Sequence, residues 1–133
     1  MKVLIDCDVL LDVALGRKPH FEHSARLLDW AEAHPGRAAI AWHTVSNFIY
    51  LGDHQAPAFV EELLVFIDIP GTDTESMRFA LELPMNDLED AMQVAAAERF
   101  GAQVIATRNT KDFKKSPIKA MTPAKLVEGL FPR

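Results

Sequence analysis

Three groups of acidic residues give this sequence its capacity for chemistry. Asp6, Asp8 and Asp12 follow the apolar run Val3-Leu4-Ile5; Asp87 and Asp90 stand three apart after Pro84; Asn109 and Asp112 follow the apolar run that ends at Thr107. A spacing of three puts Asp87 and Asp90 on one face of a helix, near its start. Carboxylates gathered at one place repel one another unless something neutralises them. A hard divalent cation does so: Mg²⁺ takes oxygen ligands, keeps several waters and favours phosphate as a partner. Such an ion activates water and offsets charge on a transferring phosphoryl group. Each group alone has a plainer use. Asp87 suits a helix N-cap with acids in the first turn, and Asn109 and Asp112 suit a turn. Asp8 and Asp12 suit the capping and solvation of a first helix, the reading we favour for Asp12. Three acids falling at the ends of three separate elements are more specific than any one of them.

The elements that must position these acids alternate. Lys2 to Ile5 reads as a buried strand and Asp8 to Leu15 as a helix ending near Gly16. A second helix runs from about His20 to His34, and Ala38 to Trp42 reads as a second buried strand. Thr44 is placed to cap a third helix carrying Val45, Phe48, Ile49 and Leu51. Pro57 opens a fourth, leading to a short strand around Phe66 to Ile69. Thr74 caps a helix that Pro84 stops. Asp87 to Phe100 reads as a strongly amphipathic helix closed by Gly101. Gln103 to Ala106 and Ile118 to Met121 read as strands, and Thr122-Pro123 as cap and first turn of a last helix. This alternation predicts an α/β fold, a three-layer α/β/α sandwich with a mainly parallel central sheet, as one domain over residues 1–133.

Of the 133 residues, 49% are hydrophobic, enough for a real core. No apolar run approaches the ~18 residues of a membrane span, and no export signal is visible, so membrane association is not expected. The single cysteine, Cys7, excludes an internal disulfide and fits a cytoplasmic location. The net charge of −5 argues against a general nucleic-acid coat protein. Yet between Arg108 and Lys125 six basic residues face only Asp112. A basic stretch beside an acidic pocket suits a phosphodiester substrate. The five histidines form no zinc pattern. Trp30 and Trp42 are read as core or interface. Phe21, Leu27 and Leu28 are read mainly as core, the other use of that face being a homodimer or a partner's helix.

Three stretches resemble one family. Val3-Leu-Ile-Asp6-Cys-Asp8-Val-Leu-Leu-Asp12 looks like the opening of the PIN domain, roughly Asp-Thr-Asn-Val-Leu. Pro84-Met-Asn-Asp87-Leu-Glu-Asp90-Ala91 resembles its central motif, an Asp-Ala pair opening an alanine-rich helix. Val104-Ile-Ala-Thr107-Arg-Asn109-Thr-Lys-Asp112-Phe113 is similar to its Thr-Arg-Asn-x-x-Asp-Phe signature. The resemblance implies a nuclease dependent on Mg²⁺ or Mn²⁺, commonly a single-strand-directed endoribonuclease; many small bacterial members are toxins of toxin–antitoxin pairs. On that resemblance Asp6, Asp90 and Asp112 organise metal and water, with Asp87 as an additional catalytic acid. Thr107, Arg108, Asn109 and Lys111 would support or bind a single-stranded or structured RNA substrate, and an antitoxin protein would be the partner.

The chain departs from the family pattern at three places. Many members carry a glutamate at the start of the third helix, where this chain has Thr44-Val-Ser46-Asn47, and some carry an acid where it has Asn109. Asp8 replaces the usual asparagine beside the first acid. The alternative is therefore a nucleic-acid-binding module of the same fold with weakened catalysis. Two further classes fit less well. Asp6-Cys-Asp8 has the spacing of haloacid-dehalogenase-like phosphohydrolases, but Val9 and Leu10 replace their glycine and threonine. Phe66-Ile-Asp68-Ile-Pro70-Gly71 is similar to the phospho-acceptor strand of a receiver domain, but Thr122 stands where receivers carry lysine before proline.

Overall fold

Val3, Leu4 and Ile5 form β1 and are fully buried, because this strand lies in the middle of the sheet. The computed structural model describes residues 1–131; Pro132 and Arg133, the end of the expected domain span, lie outside the described residues. The other strands are β2 (Ala38–Ala39), β3 (Ile67–Asp68), β4 (Val104–Ala106) and β5 (Lys119–Met121), in the order β3-β2-β1-β4-β5 with every neighbouring pair parallel. Val3 pairs in register with Ala38 on one side and Val104 on the other. The chain lays down β1, β2 and β3 towards one edge, then returns to place β4 and β5 on the other side of β1. The order thus reverses between β1 and β4, and in open α/β sheets ligands bind beyond the carboxyl ends of strands at such a point.

Alternation along the strands divides the core into two. Val3, Ile5, Ala38, Ile40, Val104 and Ala106 face one side, and Leu4, Ala39, Ala41 and Ile105 the other. The first side is covered by α1 (Cys7–Ala14), α2 (Phe21–Ala33), α3 (Trp42–Leu51), α4 (Ala56–Leu63) and α7 (Pro123–Leu130), through residues such as Leu10, Leu27, Phe48, Leu63 and Leu126. The second is covered by α6 (Leu88–Phe100), with α5 (Thr74–Glu82) packed on it. The result is the expected three-layer α/β/α sandwich. Each fully buried large aliphatic side chain of the central strands contributes about 1.5–3 kcal/mol.

Several boundaries differ from expectation. The second strand stops at Ala39, and α3 begins at Trp42, so Thr44 is no cap: it sits in the first turn, 1% exposed. Trp42 is not core, being 71% exposed, whereas Trp30 is buried. Asp73, rather than Thr74, caps α5 by a capping box with Ser76. The first helix starts at Cys7, with Asp6 as its N-cap. The helix expected to be strongly amphipathic, α6, is buried at Ala91 and from Gln93 to Ala97, because sheet and α5 flank it on two sides. Asp87 caps it and Gly101 ends it at φ 79°, where a left-handed backbone favours glycine. Among the described residues no helix is long and apolar enough to cross a membrane.

Candidate active site

Asp6 stands where β1 ends, at the point of strand reversal, and its carboxylate is held from three sides. One oxygen, Oδ1, accepts from the Cys7 backbone N–H (2.7 Å) and from Gln93 Nε2 (2.6 Å); the other, Oδ2, accepts from Thr107 Oγ1 (2.8 Å). Gln93 is fixed in turn by Thr44, whose hydroxyl donates to Gln93 Oε1 (3.1 Å). Thr44, Gln93 and Thr107 are buried, so this relay from α3 through α6 to β1 and β4 is shielded from water. Hydrogen bonds in such surroundings orient a carboxylate firmly.

Asp8 lies behind Asp6 on the first turn of α1. Its Oδ2 accepts from the Arg108 backbone N–H (3.0 Å), with Asn109 Nδ2 at 3.5 Å, and its buried Oδ1 has no partner among the described residues. Burial, followed by the Asp6 charge, raises the Asp8 carboxyl to about 6. Asp90 is also raised to about 6, first by burial and then by Asp87, Asp6, Asp112 and Glu89. Acids from three separate parts of the chain thus act on Asp90 together. Asp87, Asp90 and Asp112 line one cleft of 310 Å³ with Met85, Asn86, Lys111, Lys114 and Lys115. A larger cleft between α1, α3 and α4 contains Asp53 and Glu62 but none of these acids.

The donor set suits a hard divalent cation. It consists of carboxylate oxygens, and burial, followed by the neighbouring like charges, raises the Asp90 carboxyl to about 6, a crowding that a cation would relieve. Among the described residues no three His, Cys, Asp or Glu side chains already form a metal-holding group. Mg²⁺ does not require one, since it keeps several waters and is commonly bound by one or two carboxylates together with substrate phosphates. Cys7 is no nucleophile here: burial and then the neighbouring Asp6 and Asp8 charges push its thiol up to about 12, so the reactive thiolate is absent.

The expected residues divide into two sets. Asp87, Asp90, Asp112 and Lys111 line one cleft, Asp6 lies outside its lining but near enough for its charge to act on Asp90, and Asn109 stands against Asp8. Asp87 has two duties, since its Oδ1 also accepts from the Asp90 backbone N–H (3.0 Å) as the helix cap. Thr107 takes the supporting role that the resemblance implies and does not touch substrate, whereas Arg108 departs from the expected substrate contact. Thr107 is fully buried and spends its hydroxyl on Asp6. Arg108 turns inward to Asp12, through Nε at 2.9 Å and a terminal nitrogen at 3.2 Å, because Asp12 is fully buried and needs cations there. Asp12 therefore does not solvate a helix face; it also accepts from Arg17 (3.1 Å) and Ser24 Oγ (3.2 Å). Gln93 and Thr44 are not legible in the sequence as site residues, Thr44 being expected only as a helix cap. A faint signal exists for Gln93, a polar residue three after Asp90 in a run otherwise of Ala, Met and Val.

A protein family described as PIN domain matches residues 2–111. No curated protein matches the chain. Among solved structures, a toxin–antitoxin complex from Klebsiella pneumoniae is similar at a TM-score of 0.69 and 24% identity, over 92% of this chain and 98% of that one. VapC20 of Mycobacterium tuberculosis, described as a sarcin–ricin-loop-cleaving toxin, gives 0.65 and 12% over 84% and 92%. VapBC2 of Rickettsia felis, bound to a DNA fragment from their promoter, gives 0.67 and 15% over 92% and 98%. At such identities the likeness shows a shared fold.

Proposed function

This chain belongs to the PIN-domain family, and we propose that it is an endoribonuclease using Mg²⁺ or Mn²⁺ and serving as the toxin of a toxin–antitoxin pair. The observation that carries the reading is the gathering of Asp87, Asp90 and Asp112 in one cleft beside the strand reversal, where burial and then the charges of Asp87, Asp6 and Asp112 raise the Asp90 carboxyl to about 6. Asp6, Asp90 and Asp112 are the residues that would hold the cation. The chemistry supplied by a bound divalent ion is activation of water and neutralisation of charge on the phosphoryl group. Gln93, Thr107 and the Cys7 N–H keep the Asp6 carboxylate in one orientation. Asp87 holds the start of α6, and with it Asp90, in place. Lys111 offers a charge for substrate phosphate in the same cleft. The toxin reading is supported by neighbours whose descriptions name a toxin–antitoxin complex and a sarcin–ricin-loop-cleaving toxin.

A second reading, a nucleic-acid-binding module with weakened catalysis, is favoured by one observation. Where many family members have a glutamate, Thr44 is buried and engaged with Gln93, and neither Ser46 nor Asn47 supplies charge. Mixed single-stranded RNA incubated with the purified chain separates the two. The nuclease reading predicts cleavage that requires Mg²⁺ or Mn²⁺, stops with chelator and falls at least about 100-fold in Asp90→Asn. Metal-independent RNA binding without cleavage would transfer the assignment to the binding module.

A further inference from the structure

The acid-lined cleft is also lined by Lys111, Lys114 and Lys115, yet none of these ammonium groups is ion-paired among the described residues: every ion pair there is made by arginine. Three carboxylates and three ammonium groups line one cleft with no ion pair between them among the described residues. That separation leaves room for a ligand that is itself anionic on the lysine side. The lysines stand on a fixed support. Between Lys111 and Lys114, Phe113 is 3% exposed and packs into the core beside Leu4, Val94 and Ile105. A 3₁₀ turn from Thr110 to Phe113 presents Lys111, and the Ser116 N–H closes the next turn on the Phe113 carbonyl (3.0 Å). Ser116 Oγ then donates to the Ile118 carbonyl (2.7 Å), pinning the following loop. Arg108, the cation that the sequence offers most obviously, is committed to Asp12 and is not available.

We propose that Lys114 and Lys115, together with Lys111, form a phosphate-binding rail that holds the backbone of a single-stranded RNA beside the carboxylates. The proposal rests on the nucleic-acid reading of the cleft and assigns substrate binding to two lysines outside the Thr107–Lys111 motif. Ammonium groups on this turn recognise backbone charge and not base identity, so the rail supplies affinity and register without sequence choice.

The test uses the full chain carrying Asp90→Asn, to suppress cleavage, titrated with a short labelled single-stranded RNA over a series of KCl concentrations. Each lost phosphate contact removes about 0.7 from the slope of log K against log salt, so Lys114→Ala with Lys115→Ala should lower that slope by about 1.4. Lys119→Ala, on β5 outside the cleft, should leave it unchanged. An unchanged slope in the double variant, an equal loss in Lys119→Ala, or no RNA binding at all would overturn the rail. So would polyglutamate competing as well as RNA, because the cleft would then select an acidic polymer. Cleavage by the wild-type chain is read separately: cutting with an unaltered slope rejects the rail alone, and a lowered slope without cutting rejects the nuclease alone.

Discussion

Asp6 shows what one carboxylate requires in order to be useful. Its two oxygens accept from Cys7, Gln93 and Thr107, three donors from three elements. Supports of this kind for a metal-binding carboxylate are worth about 10–100-fold in metal affinity. Gln93→Ala should therefore weaken Mn²⁺ binding by about that factor in calorimetry, with the far-ultraviolet circular dichroism unchanged; unaltered affinity would show that Gln93 only packs. The acids themselves are legible because each stands near the end or start of a recognisable element: Asp6 after β1, Asp87 and Asp90 at the start of α6, and Asp112 in the turn after β4. Their supports are not. Nothing local to Thr44 or Gln93 shows that they meet across 49 positions of sequence. Arg108 was misread for a similar reason: its place beside Asn109 suggests substrate, whereas its partner Asp12 lies 96 positions earlier.

Among the elements, α1 is tied to the loop after β4 by that buried pair. Asp12 is 0% exposed, while the Arg17 and Arg108 side chains keep 38% and 28% exposure. Removing one partner of a buried ion pair costs about 3–5 kcal/mol, and partial access of both arginines to water places Asp12→Ala near the lower end. Urea unfolding should show a loss of about 3 kcal/mol; a loss below about 1 kcal/mol would mean that the arginines rehydrate freely. At α5, Asp73→Ala removes the cap bond to Ser76 and should lower stability measurably, by less than Asp12→Ala, in the same assay. Helix caps were only partly legible. Asp87 and Thr122 cap as read, but beside Thr74 the preceding Asp73 takes the cap, since both residue types serve and spacing does not choose. The third helix absorbed the end of the expected second strand because Trp42, apolar but exposed, mimics a buried position in a one-dimensional pattern.

For the whole molecule, strand order creates the site: reversal between β1 and β4 puts Asp6 and Thr107 side by side, with Asp90 of α6 and Asp112 adjoining. Burying carboxylates, and then collecting like charges around them, has a consequence for stability. A folded carboxyl raised above its ordinary 3.8 binds protons that the unfolded chain has already released, so its stabilising effect is present below about pH 4 and is lost as pH rises to about 6. Asp90→Asn removes the Asp90 share. Without metal, its melting temperature relative to wild type should rise from pH 4 to pH 7, and added Mn²⁺ should shrink that advantage; a difference independent of pH would contradict the charge crowding. His43, which burial keeps below its ordinary pKa, works in the opposite sense but is present in both proteins. The most direct measurement is a calorimetric titration of Mn²⁺ into the wild-type chain and into Asp6→Asn, Asp90→Asn and Asp112→Asn at a pH above 7. Saturable binding by wild type, weakened at least about tenfold in each variant, is the predicted result. Binding that none of the three substitutions alters would contradict a shared cation site at this edge of the sheet.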